Sequence, residues 1–378
     1  MVDQFGNNTL SDSIRSRTTG SLDGLGIHYL EAGFEKVNQP LILLLHGFPE
    51  LAYSWRKLMV LLADAGFHVV APDQRGFGAT VGWNSSYDQP LRRFSQTNLA
   101  NDVFNFISHL GYESVASIIG HDFGSSVAGW CALIHPDIFE SVVLMSAPFV
   151  GPYSSSLHSK NPLNENNIEH SLASLERPRK HYGDYFCTDH ANTDMMNAED
   201  GLNSFLRAYF HMKSDDWEEN SPFELKSWTA EELSKMPTYY IMDLDQNMPQ
   251  TVKVHKPSKL DVELCDWLSD SELKVFETEF KRTGFQGGLN WYRATKSAEE
   301  VRQLSLFHGR RIVVPSLFIA GESDWGPFQK PGALQFMEEE VCVNFYGTNF
   351  VNGAGHWVQQ EQPSVVCEWV LSFLNQIM

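Results

Sequence analysis

Residues 114–129 read SVASIIGHDFGSSVAG, and the reading of the whole chain turns on how this stretch divides. Ser114 to Ile119 is a short run of apolar and small residues, as in a strand buried on both faces. Gly120-His121-Asp122-Phe123-Gly124 comes next, and then Ser125, Ser126, Ala128 and Gly129, small residues that open a helix. A strand that turns sharply into a helix lifts the residue at the turn above the C-terminal edge of its sheet, and the glycines let that turn close. Here the lifted residue is Asp122. Glycine is common, and an Asp between two glycines is more often a plain turn residue, so the surrounding sequence has to decide.

Apolar runs of the same kind recur at Leu41 to Leu45, Val69 to Ala71, Val142 to Met145 and Ile312 to Ala320. Between them, apolar residues return every three or four positions, as in Leu99, Val103, Phe106, Ile107 and Leu110, and again in Val366, Trp369, Val370 and Phe373. This alternation predicts an α/β fold, a mostly parallel central sheet flanked by helices on both faces. From about residue 150 to 302 the alternation stops. That segment is rich in Trp, Tyr, Met and charged helical stretches such as Ser271 to Arg282, and strand-like sequence resumes at Arg311. The chain is therefore divided into a core of residues 21–149 and 303–378, an inserted helical cap of residues 150–302, and a flexible N-terminal extension of residues 1–20.

The length of 378 residues suits one large domain carrying an insertion. With 42% hydrophobic and 20% charged residues the composition is that of an ordinary globular protein. A formal charge of −19 disfavours nucleic acid and anionic membrane surfaces as partners and points to a small, neutral molecule. The expectation is a cytoplasmic protein, because no apolar run reaches the roughly 18 residues of a membrane span and the start lacks an apolar signal core. The cysteines Cys131, Cys187, Cys265, Cys342 and Cys367 are scattered without C-x-x-C spacing, so reduced thiols and no metal site are expected. Oligomeric state is not legible, and a homodimer is left open.

Two further groups fall where a catalytic reading of Asp122 needs them. Asp324 stands in Gly-Glu-Ser-Asp-Trp-Gly after the strand ending at Ala320, and His356 in Gly-Ala-Gly-His-Trp after the strand-like Val341 to Phe345. Nucleophile, acid and histidine thus occur in the α/β-hydrolase order, each on a loop after a strand. The acid would orient the imidazole and stabilise its charged form. The strand Leu41 to Leu45 runs into His46-Gly47-Phe48-Pro49-Glu50. In such a fold this loop supplies one backbone N–H of an oxyanion hole and the residue after the nucleophile supplies the other, here Phe48 and Phe123.

From about Gly26 to its C-terminus the chain resembles the soluble epoxide hydrolases and their microbial relatives, through HGFPELAYSWR, DQRGFG, GHDFGS, GESDWGP and AGHW. The resemblance implies a cofactor-independent enzyme that opens an apolar epoxide to a vicinal diol through an ester on Asp122, hydrolysed by water that His356 activates. It also covers HYGDYF at 181–186 and GFQGGLNWYR at 284–293. The family places one ring-opening tyrosine in each, which maps to Tyr182 and Tyr292, with Tyr185 as the substitute for the first. Phe123 departs from the family, which usually has Trp after the nucleophile. Trp55, Tyr185, Trp325 and Trp357, inside or beside these motifs, are read as substrate-lining.

Other residues of the same motifs carry plainer readings. Asp73 and Arg75 brace a turn, Tyr239 and Tyr240 pack the cap, and His121 points away from the site. Glu50 either helps hold the hydrolytic water or caps the helix beginning near Leu51. Rival readings are a haloalkane or haloacid dehalogenase using the same Asp, a hydrolase fold kept only as a small-molecule receptor, and a biosynthetic hydrolase acting on a complex natural-product intermediate. A dehalogenase must hold a leaving halide with side-chain N–H donors, which Phe48 and Phe123 lack.

Overall fold

The structure, a computed structural model, describes residues 5–6, 8–36, 38–153 and 168–378. Its strands are β1 (Ile14–Leu22), β2 (Leu25–Ala32), β3 (Leu41–Leu45), β4 (His68–Pro72), β5 (Ser117–His121), β6 (Val142–Met145), β7 (Arg179–His181), β8 (Ile241–Asp243), β9 (Ile312–Gly321) and β10 (Cys342–Val351). Eight of them form one sheet in the order β1-β2-β4-β3-β5-β6-β9-β10. Pairing is parallel from β4 to β10, whereas β2 runs antiparallel to both of its neighbours.

The extension expected at residues 1–20 is shorter than read. Ile14 opens β1, which pairs with β2 from Ile14 opposite Ala32 to Leu22 opposite Leu25. The strand IRSRTTGSL lies at the sheet's edge and buries little beyond Ile14 and Thr19, so no apolar alternation announces it. Of the remainder, residues 1–4 and 7 lie outside the described residues.

Side chains alternate across β3 into two cores. Leu41, Leu43 and Leu45 join one cluster, while Ile42 and Leu44 join the other on the opposite face. Helices α1 (Arg56–Asp64), α2 (Gln96–Leu110) and α3 (Phe123–Ile134) follow β3, β4 and β5. Helix α2 starts where the Ser95 hydroxyl accepts the Asn98 N–H and stops at Gly111 with φ 81°.

The described part of the cap contains α4 (Tyr182–Phe186), α5 (Leu202–Lys213), α6 (Asp270–Thr283) and α7 (Gln286–Thr295), and α8 (Pro363–Ile377) closes the core. It is not wholly helical, because β7 and β8 pair antiparallel within it. Residues 154–167, at its start, lie outside the described residues. Cap residues Phe205, Leu206, Phe210, Leu273, Phe276, Phe280 and Leu289 are buried in the same cluster as the first face of β3. At roughly 1.5–3 kcal/mol for each large apolar side chain, this shared core holds the cap more strongly than the largely buried Arg56–Glu272 ion pair, 2.8 Å apart.

Candidate active site

Asp122 sits between β5 and α3 with φ 53° and ψ −118°, a conformation that costs free energy in any residue with a Cβ. It is held there by its own N–H, which donates to the Met145 carbonyl at 3.1 Å, and by its carbonyl, which accepts the Ser125 N–H at 3.0 Å. The flanking glycines are required by close approach. A Cβ on Gly120 would stand 2.1 Å from the Gly124 oxygen, and one on Gly124 would stand 2.1 Å from the Leu45 oxygen.

The Phe48 N–H donates to Asp122 Oδ1 at 3.0 Å. Oδ2 faces His356, whose Nε2 lies 3.5 Å away and has no hydrogen-bond partner among the described residues. On the other side of the ring, His356 Nδ1 is 3.1 Å from Asp324 Oδ1 and 2.8 Å from the Ser146 hydroxyl. The Phe123 N–H belongs to the first turn of α3, where backbone donors have no intrahelical acceptor. The structure therefore brings Asp122, Asp324, His356, Phe48 and Phe123 together.

Burial opposes charge on Asp122, but the His356 imidazole facing Oδ2, with Lys213 and His121, outweighs it and holds the carboxyl below the usual range. Asp324 is likewise held low against its burial, by His356, the Ser146 hydroxyl and the Gly326 N–H. Both carboxylates are ionised near neutral pH.

Beneath the site lies a second buried chain of polar groups. His121 Nδ1 donates to Glu50 Oε2 at 2.5 Å and Nε2 donates to the His356 carbonyl at 2.6 Å. Both partners can only accept, so the imidazole must carry two protons. Burial lowers its affinity for the second proton, but Glu50, Asp122 and the His356 carbonyl raise it further, and the group ends above its usual range. Glu50 also accepts the Gly47 N–H at 2.9 Å and a Gln359 amide N–H at 2.8 Å. It caps no helix. His121 points away from the face of Asp122 and under the loop of His356. Glu50→Ala would leave the His121 charge buried and unpaired, so unfolding by denaturant is expected to show a loss of about 3–5 kcal/mol.

Tyr182 opens α4 and Tyr292 lies on α7, and their ring centres are 6.0 Å apart. Tyr292 packs edge-on against Phe48 and Phe123, with centres at 5.6 and 4.8 Å. The Tyr182 hydroxyl donates to Gln329 at 3.1 Å. Burial and then the Asp122 carboxylate raise the Tyr182 phenol above its usual range; burial, then Tyr182 and Asp122, raise Tyr292. Both are neutral donors close enough to Asp122 to feel its charge.

Tyr185 is not brought to the site. Its hydroxyl donates to Asp194 at 3.0 Å and its ring lies against Lys180 and His190. Trp55 is also elsewhere, fully buried in the core of Ile42 and Leu44 on the far face of the sheet. Trp325 packs edge-on against Phe223 of the cap at 5.0 Å. Trp357 packs edge-on against His356, at 4.7 Å between centres, but its indole N–H is spent on the Phe210 carbonyl at 2.8 Å, which ties α5 to the histidine loop.

Asp73 accepts the Ala52 and Ala79 N–H groups at 2.8 and 2.9 Å, and Arg75 forks onto Asp102 at 2.6 and 2.7 Å, so both brace turns. Tyr239 donates to Asn220 at 2.8 Å inside the cap, and Tyr240 packs on Tyr182 with centres 5.1 Å apart. Sequence reading missed Ser146, Gln329 and Lys213. Lys213 ends α5, is buried with its ammonium 4.9 Å from the Tyr240 ring centre, and receives the His356 N–H on its carbonyl at 2.7 Å. None of the three stands in a motif.

Among the described residues, no group of three or more His, Cys, Asp or Glu side chains could hold a metal ion. The five cysteines are free. No described helix is long and apolar enough to cross a membrane.

A carboxylate raised at the turn after a central parallel strand and faced by an acid-paired histidine is how an α/β-hydrolase is built, and the family described as the alpha/beta hydrolase fold matches residues 40–177. The chain is 31% identical to epoxide hydrolase A of Mycobacterium tuberculosis over 364 residues, covering 93% of this chain and 95% of that protein. Among solved structures it is similar to an epoxide hydrolase from an endophytic Streptomyces, with a TM-score of 0.76, 26% identity and 97% of each chain covered. It is also similar to potato epoxide hydrolase I, with a TM-score of 0.72, 26% identity, and 96% of this chain and 99% of that one covered. This chain belongs to the epoxide hydrolase family of α/β-hydrolases and is an enzyme of that type.

Proposed function

We propose that the protein hydrolyses a small, largely apolar epoxide to a vicinal diol through a covalent ester on Asp122. The observation that carries this reading is the pair of neutral phenols, Tyr182 half-buried and Tyr292 buried, beside an ionised Asp122. The Phe48 N–H engages Oδ1, which leaves Oδ2 to attack the ring carbon. A phenol donates to the ring oxygen as the carbon–oxygen bond breaks and gives its proton to the emerging alkoxide. His356 Nε2 then takes a proton from water as that water attacks Cγ of Asp122. The oxyanion that forms on Oδ1 is stabilised by the Phe48 and Phe123 N–H groups. As it collapses the Cγ–Oδ2 bond breaks, the proton held on His356 Nε2 passes to the departing oxygen to release the diol, and the proton left on the new Asp122 carboxyl returns to the tyrosinate.

Halide stabilisation is poorly supported. Phe48 and Phe123 offer no side-chain N–H, and the indole donors of Trp291 and Trp357 are spent on the Arg75 and Phe210 carbonyls at 2.9 and 2.8 Å, which leaves the Trp325 indole, beside Asp324 in the chain, as a donor with no partner among the described residues. The enzyme is expected to release no halide from haloalkanes of similar size.

With enzyme in excess over epoxide in ¹⁸O-labelled water, the first turnover is expected to give unlabelled diol, because the entering oxygen is Oδ2. Fully labelled diol from that turnover would rule out the ester. The rate of ester formation carries a second expectation. Asp122 stays charged as pH falls because its carboxyl is held low, and the phenols stay protonated as pH rises because theirs are held high. Alkylation measured by rapid mixing is therefore expected to show no titration of either between about pH 5 and about pH 10.

A further inference from the structure

We propose that Ser146 is a positioning residue of this reaction, its hydroxyl bridging His356 and Asp324 so that Nδ1 of the imidazole keeps its proton and Nε2 remains the base. The inference rests on the ester mechanism above, in which Nε2 must accept a proton from water.

Ser146 follows β6 and is fully buried, with φ 68°. Its N–H donates to the Ile319 carbonyl at 2.9 Å, which clamps the end of β6 to β9. The hydroxyl donates to Asp324 Oδ2 and lies 2.8 Å from His356 Nδ1. An ionised carboxylate can only accept, so the hydroxyl proton points to Asp324 and its lone pair is left for Nδ1–H. The direct contact from Nδ1 to Asp324 Oδ1 is longer, at 3.1 Å, and that oxygen also accepts the Gly326 N–H at 2.7 Å. The shorter of the two contacts that orient the imidazole is therefore made by serine rather than by the acid.

Two packing facts make the bridge a built feature. Left-handed backbone is unfavourable for serine and easy for glycine, yet the position carries a side chain whose hydroxyl is fully used. A Cβ on Gly326 would stand 2.6 Å from the Ser146 hydroxyl and 2.9 Å from Asp324 Oδ2, so the opposing loop is kept bare where it meets the bridge. Asp324 is buried and the Ser146 hydroxyl is the donor to its Oδ2, so loss of the hydroxyl leaves that oxygen without its protein donor.

The test uses Ser146→Gly, which suits the left-handed backbone, beside Ser146→Ala. Hydrolysis of the Asp122 ester is expected to slow about tenfold in both, the worth of one good buried hydrogen bond, with alkylation, which does not use His356 as base, changed by less than about twofold. In substrate-free enzyme, the low-field proton resonance of His356 Nδ1–H is expected to move when the hydroxyl is removed. Both steps altered alike, neither altered, or an unmoved resonance would overturn the proposal. If the wild-type enzyme forms no ester, the mechanism has failed, and the resonance alone decides whether the bridge exists.

Discussion

His356→Gln is expected to trap the enzyme as an ester on Asp122, visible as a mass increase equal to that of the epoxide. The prediction follows from the division of labour around the carboxylate. Oδ2 is free to attack without help from the imidazole, since the Phe48 N–H already engages Oδ1 and Asp122 is ionised. Nε2 has no partner among the described residues and lies 3.5 Å from Oδ2, where its task is to take a proton from the incoming water. Removing it spares the first step and stops the second. Steady-state turnover is expected to fall by about 10⁴-fold or more, the scale seen when one member of a tightly coupled catalytic unit is lost. Asp122→Asn should lose turnover to a similar extent without any adduct. A single-turnover burst of diol from the His356 variant with no adduct would show that hydrolysis of the ester does not depend on that base.

The second large effect is expected in the cap. Tyr182→Phe and Tyr292→Phe each keep the ring, and with it the packing on Phe186, Phe48 and Phe123. Each removes one donor. Because two phenols stand close together, either single variant retains a donor to the ring oxygen and slows alkylation modestly. The double variant retains none and is expected to slow alkylation by about 10² to 10⁴, the usual value of general-acid assistance. Hydrolysis of preformed ester should be unchanged, since the phenols act on the leaving oxygen alone. Tyr185→Phe serves as the control, because its hydroxyl is bound to Asp194. Wild-type alkylation in the double variant would remove both tyrosines from the mechanism.

How far the site was legible follows from how local each signal is. The positions of Asp122, Asp324 and His356 were readable because each lies in a short glycine-containing stretch after a strand, and those stretches fix backbone shape residue by residue. The Phe48 donor was readable for the same reason. Of the two readings of Glu50, the helix cap fails, because its partners His121 and Gln359 are 71 and 309 residues away in the chain. Strand β1 was missed because an edge strand needs no apolar alternation, and the cap's small β7–β8 pair because each strand spans only three residues.

What the amino-acid sequence determined by itself was the order of the machinery: a parallel sheet, an acidic residue at the sharp turn after its central strand, an acid and a histidine on later loops, and an insertion bearing tyrosines. These are properties of contiguous segments, set by periodicity and by the backbone freedom of glycine. Only the tertiary structure decided which side chains meet. Tyr182 and Tyr185 lie three residues apart on one short helix, nearly on the same face, and it is Asp194 that draws the second hydroxyl away. Trp55 belongs to a motif of the site yet falls on the far face of the sheet. Ser146 stands in no motif, and it gains a role only because the ends of β6, β9 and β10 lie side by side and place its hydroxyl between Asp324 and His356. Such contacts depend on side-chain direction across strands far apart in the chain, which no local pattern encodes.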